Sequence, residues 1–155
     1  MNPVNQTLVD VAGPIRSQGR MEKECWRTPI PAVRRLLAEA EQDCPVAQRD
    51  LGLLYLHGLG VPEDEAEALR WLLRASAQGD GRAQFYAGHM YESRARTEAD
   101  LVEAYKWYSV AAERGMPLGR AIFESLEQRM TREEIYEAEQ SARQFRPKGE
   151  RPAQR

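Results

Sequence analysis

The sequence predicts an all-α fold, a right-handed solenoid of antiparallel helix pairs, and three observations carry that prediction. A 36-residue unit is written twice, Ala47–Arg82 and Ala83–Leu118, with ten identical positions and no gap. These are Ala47/Ala83, Gln48/Gln84, Gly52/Gly88, Tyr55/Tyr91, Asp64/Asp100, Glu67/Glu103, Ala68/Ala104, Trp71/Trp107, Ala75/Ala111 and Gly79/Gly115. Unrelated segments of this length share about two, and a period of about 20–50 residues is what stacked helical units leave in a sequence. Apolar residues within the units follow helical spacing, as at Leu51, Leu54 and Tyr55. Glycine, proline and capping residues punctuate these stretches where a helix pair has to turn.

Residues 1–28 carry Pro3, Gly13-Pro14, Ser17 and Gly19 without sustained periodicity and read as a mobile arm. Trp26 near its end is either a docking residue or a side chain packed on the first helix. The repeat domain spans 29–146 and opens with a half-repeat, 29–45. Thr28-Pro29-Ile30-Pro31 announces a helix over Ala32–Gln42, with Val33, Leu36, Leu37 and Ala40 on one side. Val33, Leu36 and Leu37 stand 36 residues before Leu69, Leu72 and Leu73, so this helix is a lone second helix of a pair. Arg34, Arg35, Glu39 and Glu41 solvate its open side, and Asp43-Cys44-Pro45 closes it.

In the repeat 46–82, helix A runs from about Val46 to His57. Gly52 sits mid-helix, where it costs about 1 kcal/mol relative to alanine. A close approach by Ala68 explains it, and Gly88 with Ala104 repeats the arrangement. Tyr55 and Trp71 are expected as wedges above that contact, with polar tips near water. His57-Gly58-Leu59-Gly60-Val61-Pro62-Glu63-Asp64 makes the turn, with Pro62 opening helix B and Gly79-Asp80-Gly81 stopping it after Ala77.

The repeat 83–118 keeps the length but replaces that turn with Glu92-Ser93-Arg94-Ala95-Arg96-Thr97-Glu98, which has no glycine. Thr97 becomes the N-cap of its helix B, with Asp100 at N3 of a capping box. A closing helix pair fills 118–146. Leu118–Met130 reads as a third helix A with Ile122, Leu126 and Met130 in line. Thr131 and Glu134 form a second capping box for a last helix that runs to about Arg146 and buries Ile135, Ala138, Ala142 and Phe145. Pro147 stops it, and the tail 147–155 is polar and expected to be disordered. Arg143, Arg146, Lys148, Arg151 and Arg155 make a basic, solvated end.

The pattern resembles the Sel1-like repeat, a relative of the tetratricopeptide repeat. The first unit carries the resemblance at Ala47, Leu51-Gly52, Tyr55, Gly58-x-Gly60-Val61, Asp64, Ala68, Trp71, Ala75 and Gly79. The second carries it at Ala83, Gly88, Tyr91, Asp100, Ala104, Trp107-Tyr108, Ala111-Ala112 and Gly115. It departs at the missing Gly-x-Gly-Val turn and at Ala87, where the family prefers leucine. A closing helix pair that begins Met-Thr is also similar to the usual C-terminal end of such domains. Secreted members with a cysteine pair in every repeat are a different branch, and this chain lacks that feature.

Composition excludes several classes of function. The 155 residues are 42% hydrophobic and 30% charged, which is globular usage. With 22 basic and 24 acidic residues, the formal charge of -2 gives no argument for nucleic acid or anionic lipid as a partner, and neither is expected. No apolar run approaches the ~18 residues of a membrane span. The first residues show no secretory signal, so a cytoplasmic location is expected. Cys25 and Cys44 have neither disulfide-framework nor zinc spacing.

Chemistry is sparse. His57 and His89 are the only histidines and sit on different repeats without a carboxylate or cysteine at ligand spacing, so no metal is expected. No phosphate loop and no Gly-x-Ser-x-Gly occur, and Ser76, Ser93, Ser109, Ser125 and Ser141 lack a base partner. Glu63-Asp64-Glu65 belong to a helix first turn. The expectation is a protein without enzyme activity or cofactor, an adaptor that binds a partner protein along the concave surface lined by helix A. With each glycine buried, the groove positions fall three before, one after and four after it. They are Arg49, Leu53 and Leu56, then Phe85, His89 and Glu92. The competing reading is that the arm or flanking helices cover these residues. A second functional reading is a regulator or inhibitor of an enzyme complex that acts through the 1–28 arm.

Overall fold

A computed structural model describes residues 30–118, 120–145 and 147, and within them every regular element is a helix. In order these are α1 Pro31–Glu41, α2 Pro45–His57, α3 Glu65–Ala77, α4 Gly81–Arg94, α5 Glu98–Glu113, α6 Arg120–Glu127 and α7 Arg132–Gln144. The 1–28 arm with Cys25 and Trp26, Arg146, and the tail beyond Pro147 lie outside the described residues. Helices α2 and α3 pack as one pair and α4 and α5 as a second; α1 lies on α2, and α3 on α4. The result is a helical-repeat solenoid.

The duplicated glycines set the spacing within each pair. A Cβ on Gly52 would lie 2.8 Å from Leu72 Cγ and 3.1 Å from the Ala68 carbonyl oxygen. On Gly88 it would lie 3.0 Å from Tyr108 Cδ1 and 3.2 Å from the Ala104 carbonyl oxygen. The expected alanine is therefore present through its backbone, while the side chain four residues later, Leu72 or Tyr108, fills the contact.

The duplicated glutamines join each pair to the preceding helix. Gln48 Nε2 donates to the Ala40 carbonyl at 3.0 Å, and Gln84 Nε2 to the Ser76 carbonyl at 3.1 Å. Both glutamines are fully buried, so each bond satisfies a polar group that would otherwise be costly to bury. Helix α1 exits as α3 and α5 do: Asp43, with φ 60°, occupies the place of Gly79 at 93° and Gly115 at 82°.

Several expectations need correction. Helix α3 begins at Glu65, not at Pro62, because the Asp64 carboxylate accepts from Ala66 N at 2.9 Å and Glu67 N at 3.0 Å and so fixes the N-cap. Trp71 does not keep its polar edge in water. Its indole N–H is buried without a hydrogen-bond partner among the described residues, and Arg70 and Arg74 lie 4.6 and 4.8 Å from the ring centroid.

The third helix A is only the short α6, starting at Arg120 and ending at Glu127. Met130 leaves it and precedes the Thr131 cap, where Met130 and Ile135 join the cluster around Leu126 and Ala138 as a hydrophobic staple. Helix α7 lies along α5, which α6 touches only lightly. It ends at Gln144, and Phe145 sits just outside it, half-buried and edge-on to Trp107 at 5.2 Å.

Candidate interaction surface

Helices α2 and α4 carry the six positions selected from the sequence, at equivalent places: Arg49 with Phe85, Leu53 with His89, Leu56 with Glu92. Four of the six are engaged inside the chain. Arg49 Nη1 reaches Asp80 Oδ2 at 3.0 Å and Nη2 reaches Asp50 Oδ1 at 2.7 Å. Asp80 also caps α4 by accepting from Ala83 N at 2.8 Å, so Arg49 ties α2 to the start of α4. Burial opposes the Arg49 charge, but the hydrogen bond to Asp50 and the charges of Asp80 and Asp50 outweigh it and hold the guanidinium above its usual range.

Phe85 packs edge-on to Tyr86 at 5.5 Å and tilted on Tyr108 at 5.7 Å. Glu92 accepts from the Tyr108 hydroxyl at 2.8 Å. Leu56 packs against the cluster of Ala68, Leu72 and Met90. That leaves Leu53, half-buried, and His89, exposed. The Arg49–Asp80 brace, spanning 31 residues, was missed from the sequence. An acid at the N-cap of the next helix was its only signal.

A cleft lies at the turn between α4 and α5. It has a volume of about 750 Å³ and is walled by Leu69, Met90 and Tyr91 and rimmed by Glu65, Arg94 and Arg96. Arg94 Nε meets Glu65 Oε2 at 3.3 Å across it. Below the rim the expected capping box is present. Asp100 N donates to Thr97 Oγ1 at 3.3 Å, and Asp100 Oδ2 accepts from Thr97 N at 3.1 Å. The N–H of Arg96, followed by the hydroxyl and N–H of Thr97, holds the Asp100 carboxyl below its usual range.

Among the described residues, no group of three or more His, Cys, Asp or Glu is placed to hold a metal ion, and no helix is long and apolar enough to cross a membrane. His57 is exposed in the last turn of α2, which Gly58 ends with φ 62°. Asp64, Asp80, Asp100 and Glu134 all serve helix N-termini.

Residues 45–80 and 81–116 each match the Sel1 repeat. The chain is similar to chitin synthase regulatory factor 3 of Schizosaccharomyces pombe, 34% identical over 95 residues, which make 60% of this chain and 10% of that protein. It therefore spans about a tenth of the length of this curated relative. Among solved structures, a protective antigen of uropathogenic Escherichia coli displaying an SLR fold superposes with a TM-score of 0.67 at 31% identity, covering 74% of this chain and 25% of that one. A Sel1 repeat protein from Oxalobacter formigenes gives 0.54 at 27% identity, covering 74% of this chain and 90% of that one.

Proposed function

Because this chain is built on two Sel1 repeats, we propose that it is a non-catalytic adaptor that holds a partner protein on the face shared by α2 and α4. The observation that carries the reading is that equivalent positions 53 and 89 remain accessible on that face while their neighbours are fixed. Arg49 is held by Asp80, Glu92 by Tyr108, and Phe85 by its aromatic contacts. A partner would meet a preorganised surface with an apolar side at Leu53 and Leu56 and a polar side at His89 and Glu92, and such surfaces bind with little ordering cost. The regulator named among the relatives supports a role exerted on another protein. The repeats are the part that this chain shares with it, so the client need not be a chitin synthase. We place the adaptor in the cytoplasm as part of the same proposal.

Leu53→Glu with His89→Glu tests the face without touching the core, which a charge at Phe85 would damage. Affinity capture by the intact chain should yield a partner that the double variant loses, at unchanged helical circular dichroism. Capture retained by the double variant and lost on removal of residues 1–28 would instead establish the reading in which the arm acts on an enzyme complex.

A further inference from the structure

The first repeat closes its A–B turn from inside. Val61 is 3% exposed and shares one apolar cluster with Val33, Leu54 and Tyr55. Shifted by 36 residues, those wall residues become Leu69, Met90 and Tyr91, which are the apolar walls of the cleft at the second turn. The position equivalent to Val61 is Thr97, which is exposed and committed through its hydroxyl to the capping box. The second repeat thus keeps the socket and lacks the plug. Its rim leaves one cation open to an acid among the described residues. Arg94 faces Glu65 and also stands near the Asp100 carboxylate that the cap occupies, while the guanidinium of Arg96 has no carboxylate partner among the described residues.

We propose that this cleft is a second docking site, separate from the α2–α4 face, for an extended segment of a partner protein with an apolar side chain of about valine size followed by carboxylates. The first turn shows what such a segment looks like, since there Val61 is followed by Pro62-Glu63-Asp64. The apolar side chain supplies most of the affinity by leaving water, and the carboxylates select the Arg96 side of the rim.

The test uses the full chain and a synthetic peptide, Gly-Leu-Gly-Val-Pro-Glu-Asp, copied from residues 58–64. Amide chemical shifts in a ¹⁵N-labelled sample should move along 65–69 and 90–100 and saturate. The peptide carrying Val61→Asp should bind about tenfold more weakly. The protein variant Arg96→Glu, an exposed change that leaves the fold intact, should weaken the wild-type peptide about threefold. Three results overturn the proposal: no shifts at those residues, equal binding of the two peptides, or shifts centred on Leu53 and His89. Shifts at the same residues on concentrating the protein alone also overturn it, because the occupant would then be a second copy.

Discussion

The two repeats share ten of 36 residues and the same helix pair, yet they close the pair by different physics. The first turn adds burial to its Asp64 cap: Val61 is buried in the cluster with Val33, Leu54 and Tyr55, and Gly60, at φ 73°, stands against Ile30 and Val33. The second is held by hydrogen bonds: Thr97 and Asp100 satisfy each other's backbone groups at the surface. A helix pair therefore tolerates loss of its turn sequence if another device fixes the start of helix B. What it then gives up is the side chain that filled the space beneath.

The contrast continues in the core. At the glycine contact the first repeat places Leu72 and the second Tyr108. Leu72→Ala is expected to have the largest effect, a loss of about 2–5 kcal/mol in chemical denaturation, and a loss well below that would show that this contact is not what holds the pair. Val61→Ala should cost less, about 1–2 kcal/mol from exposed or emptied apolar volume, with a midpoint shift that does not depend on pH.

Thr97→Ala should cost about 0.5–2 kcal/mol through the lost cap, and here pH separates the two turns. The folded state holds Asp100 below its usual carboxyl range, so its contribution is present above that range and fades as pH falls through it. Acid titration of stability should be flatter in Thr97→Ala than in wild type and unchanged in Val61→Ala.

The second repeat should also be the more alkali-sensitive one, although burial raises Tyr55 of the first as well. Burial first, then Glu127, pushes Tyr105 up to about 12, and burial with Glu92 raises Tyr108 further. Both stand where the first repeat has Leu69 and Leu72. Their folded pKa is raised, so stability is full below the unfolded tyrosine value near 10 and falls as pH climbs toward 12. Tyr108→Phe should make that decline shallower in thermal melts above pH 10. The smallest effect is expected at the exposed Arg35–Glu39 pair, 3.1 Å apart on α1, where Glu39→Gln should change stability by under about 0.5 kcal/mol.

Repetition made the architecture legible. A 36-residue period, capping boxes at Thr97 and Thr131 and the register of Val33, Leu36 and Leu37 are local signals, and each has a counterpart in the structure. What escaped was set by distance or by competition between neighbours. Pro62 is a good helix start, but Asp64 can hydrogen-bond to two amides and so wins. Met130 continues the spacing of Ile122 and Leu126, yet a cap at Thr131 recruits it for the staple. The six face positions came from counting around a helix, which says where a residue points and not what holds it. Arg49 binding Asp80 and Glu92 binding Tyr108 depend on the next helix over. The open socket at Leu69, Met90 and Tyr91 was written as a missing valine at Thr97, visible only once Val61 is known to be buried.

Amide hydrogen exchange on the complex with the captured partner tests the adaptor proposal most directly. Added protection centred on α2 around Leu53 and on α4 around His89 is the predicted result. Unchanged exchange in both helices, with protection confined to residues 1–28 or to the outer surface of α3 and α5, would contradict it.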